Sequence, residues 1–192
     1  MDLVIENVGR RSSRWGGEGD PTDVGEASLN GRERNALYRN RGDGHFDEVG
    51  FLTGAGRIED GRAVAVADFD RDGRLDLAIQ NLDGPAALLM GRGPVGHWLQ
   101  LRLEGAASNR DAIGATVLAH VGGRRLLRQV AAGSGFLSSS SKVLHFGLGE
   151  ARRVDELEIR WPSGRVQRLR DVAADQRIEV SEAEAKRETA GR

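Results

Sequence analysis

Residues 68–76 read Asp68-Phe69-Asp70-Arg71-Asp72-Gly73-Arg74-Leu75-Asp76, and the reading of this stretch decides the fold. Four carboxylates stand at its first, third, fifth and ninth positions, with glycine at the sixth. Like charges spaced so closely repel one another, and a hard cation removes the repulsion. Calcium takes six to eight oxygen ligands from carboxylates, carbonyls and water, and the glycine lets the chain turn around it. The loop opens as an EF-hand does, but the position that needs a bidentate glutamate is Ile79. It closes instead on Asp76, followed by the apolar Leu77-Ala78-Ile79. The flanks, Arg62–Ala67 before and Leu77–Leu82 after, are strand-like rather than helical. Asp68, Asp70, Asp72 and Asp76 are the expected side-chain ligands, with the carbonyl of Arg74 as a fifth. The plainer alternative is a polar β-turn with coincidental aspartates. In either case the expected role is to brace a hairpin, not to catalyse.

The chain has 192 residues, 39% apolar, with a net charge of −1 and charges of both signs intermixed. That suffices for one or two domains with a core and lacks the basic footprint of a nucleic-acid binder. Aromatic residues make up 5%, few for a base-stacking surface. Glycine is frequent, 27 residues, as many tight turns between short strands require. Cysteine is absent, which removes disulfides and thiol chemistry. No apolar run is long enough to insert in a membrane. The N-terminus has no signal-peptide pattern. Asp2-Leu3-Val4-Ile5-Glu6-Asn7-Val8 parallels Asp76-Leu77-Ala78-Ile79-Gln80-Asn81-Leu82. Asp2 therefore reads as the last ligand of an earlier loop, and the chain as starting in mid-repeat within a longer protein.

Residues 9–34 read as a long loop, with a weak glycine-rich match at Gly16–Asp20 that is discounted. Short strands are expected at 35–40, 45–49, 61–67, 77–82 and 86–90. Arg41-Gly42-Asp43 spells an adhesion tripeptide but serves more simply as part of a hairpin turn. Gly91–Pro94 marks the expected domain boundary. Beyond it Leu99, Leu101 and Leu103 alternate with Gln100, Arg102 and Glu104, the period of a half-buried strand. Gly122-Gly123 between apolar runs signals a two-residue hairpin. Alternation returns at 144–148 and 157–161, and the closing strands fall at 166–172 and 177–180. Seven strand candidates with turns between them predict an antiparallel β-sandwich. Residues 181–192 read as a charged, Ala-rich tail, either a frayed helix or disordered.

Two stretches resemble a known pairing. Gly61–Gly84 is similar to an FG-GAP (VCBS-type) repeat, with Asn40–Phe46 resembling the outer hairpin of the preceding unit. Residues 97–180 resemble the ASPIC/UnbV domain of the cartilage acidic protein family and bacterial secreted relatives. The stretches that carry the resemblance are Ser108–Ala115, Gly133–Ser138, Leu144–Gly149, Val154-Asp155 and Arg160–Gly164. The resemblance implies an all-β chain: incomplete propeller-type blades over 1–96, a β-sandwich over 97–180 and a tail over 181–192. It also implies an extracellular or cell-surface, calcium-stabilised, non-enzymatic adhesion module that binds a protein or carbohydrate ligand. A lone blade leaves open sheet edges, through which the chain is expected to self-associate.

The residues themselves offer little for catalysis. His45, His97, His120 and His145 form no local metal motif. Ser134 lacks the first glycine of a nucleophile elbow, since Ala132 stands there. Asn109, Arg110, Asp111 and Ser134 lie on polar loops and are the expected ligand-binding group, with backbone-satisfying turns as the alternative. A polysaccharide-active hydrolase would use carboxylates such as Asp111 and Asp155. Trp161 is in phase with Leu157 and Ile159 and is expected in the core. Trp98 is out of phase with its neighbours and is expected to be exposed or between domains.

Overall fold

The computed structural model describes residues 3–6, 34–59, 61–82, 84–94 and 96–185. Asp2, Trp15 and most of the long loop, with Gly16–Asp20, lie outside these residues. The regular structure of the described residues is almost all strand, as the alternation and turn chemistry predict. The chain forms two compact units, each built from more than one segment of the chain. The first holds the described residues up to Ala65, with Leu77–Leu89 and Gly135–Ser138. The second holds Val66–Asp76, Met90–Ser134 and the described residues from Ser139 onward, so the acidic loop lies in the same unit as the sandwich.

The first unit begins with an antiparallel sheet of β1 (Leu3–Glu6), β2 (Ala36–Asn40) and β3 (Phe46–Glu48). Asn40 and Asp43 cap the turn between β2 and β3, accepting from the N–H groups of Gly42 and His45. Arg41-Gly42-Asp43 thus sits in a hairpin turn. A single helical turn, α1 (Gly50–Thr53), follows and ends on Gly54 in the left-handed conformation. β4 (Gly61–Ala67), β5 (Asp76–Asn81) and β6 (Ala87–Leu89) make a second three-stranded sheet. The acidic loop is the connection between β4 and β5.

The sandwich contains seven strands. β10 (Leu144–Gly149), β7 (His97–Glu104) and β13 (Gln176–Ser181) form one sheet. β12 (Val166–Ala173), β11 (Arg153–Arg160), β8 (Thr116–Val121) and β9 (Arg124–Gln129) form the other. The β8–β9 hairpin turns on Gly122 and Gly123, both at positive φ, as a type I′ turn requires. One pairing departs from the expected antiparallel pattern: β13 runs parallel to β7, with Ile178 opposite Leu101. The apolar faces of both sheets merge in one core that includes Leu99, Leu101, Phe146, Leu157, Ile159 and Trp161. Trp161 is buried there, as its phase predicts.

Of the expected tail, residues 181–185 are described. Ser181 completes β13, and Glu182–Glu184 forms a 3-10 turn whose N-cap is Ser181. Glu182 is fully buried. Its Oε2 accepts from the backbone N–H groups of Ala106, Ala107 and Ser108 at 2.7, 2.8 and 2.7 Å. Its Oε1 accepts from the hydroxyls of Ser108 and Ser163. Burial pushes this carboxyl up, but the bonds from Ser163, Ser108 and Ala106 outweigh it and hold the group at about 2. The sandwich therefore extends beyond residue 180.

Candidate metal centre

The loop is built by its own carboxylates accepting from its own backbone. Asp68 accepts from the N–H groups of Asp72 and Gly73, at 3.0 and 2.9 Å. Asp70 accepts from Asp72 N–H at 3.3 Å. Asp76 opens β5 and is 1% exposed. Its two oxygens accept from Phe69 N–H and Gly91 N–H, each at 2.8 Å. Gly73 has φ +88°, and a Cβ there would lie 2.0 Å from the indole nitrogen of Trp98. Glycine is thus required twice, by the turn and by the tryptophan packed on it.

These bonds turn three of the four aspartates inward. One carboxylate oxygen each from Asp68, Asp70 and Asp76 lies within 4.8 Å of the others. Calcium–oxygen distances of 2.3–2.6 Å let two ligands of one ion stand at most about 5 Å apart, so the cluster fits a single calcium. Without a cation, unit charges 4.8 Å apart repel by about 3.5 kcal/mol per pair at an effective dielectric near 20. The hydrogen bonds to Asp76 come from backbone amides among the described residues, and neutral donors cannot cancel its charge. The donor set is all oxygen, which suits a hard divalent ion.

Asp72 is placed differently from the other three. Its carboxylate accepts from the backbone N–H of Arg74 at 2.9 Å and pairs with the Arg74 guanidinium. The backbone bond from Arg74, joined by its guanidinium, holds this carboxyl below its ordinary range. Arg74 also donates to the carbonyl of Gly93 through Nε and Nη2.

The sandwich supplies an element the sequence does not announce. Gln100 lies on β7 and is only 4% exposed, and its Nε2 donates to Asp68 at 2.7 Å. The same Nε2 lies 3.4 Å from Nδ1 of His145. Trp98 is half-buried and stacks on His145, ring centroids 6.4 Å apart, rather than standing free. Burial pulls His145 below the usual imidazole value, and the charge of Asp68 opposes this. The signal for Gln100 was a polar residue between two buried leucines, and only the covering loop reveals its meaning.

The expected ligand-binding group is engaged within the fold. Asn109 bonds Ile113 twice, donating to its carbonyl at 2.9 Å and accepting from its N–H at 2.8 Å. Asp111 pairs with Lys142 at 2.5 Å, and the bond from Lys142 lowers its pKa. Arg110 faces Glu104 at 3.6 Å. Ser134 donates to the hydroxyl of Ser140 at 3.0 Å. Asp155, the other carboxylate of the hydrolase alternative, accepts from Gly122 N–H and so braces the β8–β9 hairpin.

An all-oxygen loop between two strands, set ahead of a seven-stranded sandwich, defines a repeat-plus-sandwich protein. Residues 22–79 match the family model of the FG-GAP-like repeat, and residues 105–187 match that of ASPIC and UnbV. The chain therefore carries an FG-GAP-like repeat followed by an ASPIC/UnbV domain. It is similar to cartilage acidic protein 1 of Xenopus tropicalis, 37% identical over 78 residues, 40% of this chain and 11% of the relative. Against the Homo sapiens protein it is 37% identical over 81 residues, 40% of this chain and 10% of the relative. Against the Mus musculus protein it is 33% identical over 128 residues, 64% of this chain and 19% of the relative. The chain thus spans no more than 19% of the length of these curated relatives.

Proposed function

We propose that this chain is a calcium-stabilised, non-enzymatic binding module that works outside the cell. The observation that carries the reading is the convergence of Asp68, Asp70 and Asp76 within 4.8 Å, with Asp76 buried. Calcium would be held by these three carboxylates and the carbonyl of Arg74, with Asp72 as a fourth carboxylate once released from the Arg74 side chain. The ion would supply the charge balance that lets the loop close, and no bond-making chemistry. Similarity to cartilage acidic protein 1 supports an extracellular or matrix setting. The partner proposed there is a protein or carbohydrate ligand. No described helix is long and apolar enough to cross a membrane.

The test is thermal unfolding in millimolar calcium and again in excess chelator. Binding to the folded state alone at about 100 times the dissociation constant adds roughly 2.7 kcal/mol. That corresponds to a rise of several degrees for a domain of this size. The rise should vanish in Asp70→Ala. Equal melting temperatures in calcium and chelator would overturn the reading.

Self-association through the first unit is a second proposal, favoured by the exposure of Phe51 and Leu52, 77% and 82%, on α1. Light scattering after size-exclusion chromatography should show dimers or larger species that Phe51→Ser/Leu52→Ser disperses. A monomer at high concentration would dismiss it.

A further inference from the structure

We infer that Gln100 is the positioning residue through which the 68–76 loop is tied to the sandwich, so that calcium bound in the loop also steadies strands β7 and β10. The inference rests on the calcium reading above and concerns a residue outside the loop.

On β7 the odd positions Leu99, Leu101 and Leu103 face the core. Of the even positions, Arg102 and Glu104 are exposed, as the opposite face of such a strand should be. Gln100 shares that face yet is 4% exposed, because the acidic loop covers it. Trp98, also on that face, packs against Gly73. Neighbouring even positions of one strand thus hold the loop at two points, at its first ligand and at its turn. A third tie joins the strand that leads into the loop: Val66 donates to the Ser140 hydroxyl at 3.2 Å, and its carbonyl accepts from Ser141 N–H at 3.0 Å.

The amide of Gln100 has one workable orientation. Its NH2 must face Asp68, because the carbonyl would set oxygen against carboxylate oxygen. One N–H reaches Asp68, and the other points toward Nδ1 of His145, the residue opposite Gln100 across the β7–β10 pair. A buried donor fixed from behind by the sheet therefore aims the carboxylate of the first ligand. Outer donors of this kind typically set metal affinity by 10–100-fold.

The experiment is calorimetric titration of the full chain with calcium chloride, paired with melts in calcium and in chelator, on wild type, Gln100→Met and Gln100→Glu. Gln100→Met keeps the volume and removes the donor. It should weaken calcium binding about tenfold and shrink the calcium-dependent rise in melting temperature. Gln100→Glu sets a further carboxylate against Asp68, so its calcium-dependent rise should exceed that of wild type. A purely structural glutamine would lower both variants equally with and without calcium and leave the dissociation constant unchanged, which would overturn the inference while the calcium site stands. If wild type itself binds no calcium, the calcium reading falls and this inference falls with it. Should Gln100→Met fail to fold, Gln100→Asn, which withdraws the donor by one methylene, decides instead: weaker calcium binding supports the inference and an unchanged dissociation constant overturns it.

Discussion

Gly73 lies so close to Trp98 that a single added carbon would fall 2.0 Å from the indole nitrogen. The contact joins the turn of the acidic loop to the first strand of the sandwich unit. It also makes position 73 the most restrictive in the loop. Gly73→Ala should cost about 1–3 kcal/mol from its left-handed backbone alone, with the clash in addition. Adding Trp98→Ala should recover the clash component and leave the backbone component. Chemical denaturation of both variants separates the two.

Glu182→Gln should destabilise the sandwich by about 3 kcal/mol, because an amide NH2 would face donors that now share a charged acceptor. The wild-type pH profile follows from the same group. Its folded pKa, about 2, lies below its ordinary value of 4.5. The stabilisation is therefore present above pH 4.5 and is lost progressively as pH falls toward 2. Melts from pH 7 down to pH 2 should show this loss in wild type and a shallower one in Glu182→Gln.

Phe146→Ala should cost about 3–5 kcal/mol, since the ring is fully buried between the two sheets. Leu127→Ala on β9 should stay within about 0.5 kcal/mol, because that side chain is 61% exposed. Urea unfolding of the pair measures the contrast directly.

Arg74→Ala should tighten calcium binding, because it removes the cation that now occupies Asp72. Calorimetry would show a lower dissociation constant than wild type. An unchanged constant would mean that Asp72 takes no part in holding the ion.

Much of this architecture can be read from short-range pattern. The spacing of Asp68, Asp70 and Asp76 around Gly73 is local, and so is the geometry that gathers them. The alternation at Leu99, Leu101 and Leu103 and the paired glycines at 122 and 123 fix strands and a hairpin by neighbours alone. What escaped depends on partners far away in the chain. Gln100 belongs by period to a wet face, and its burial comes from a loop 32 residues earlier. Glu182 sits among alanine and glutamate, a composition that reads as solvated. Its cradle at Ala106–Ser108 lies 74 to 76 residues upstream. The Arg74 guanidinium pulls Asp72 aside through a side-chain choice that residue spacing cannot express.

The parallel pairing of β13 with β7 bears on the order in which the molecule assembles. β7 opens the sandwich yet lies between β10 and β13, strands made much later. During synthesis it must wait, one edge bare, until nearly the whole domain has emerged. Such long-range closure is slow and leaves an apolar strand available to other nascent chains. A chain ending before Gln176 would keep that edge open permanently, so truncation at this end should yield aggregates rather than a smaller soluble domain.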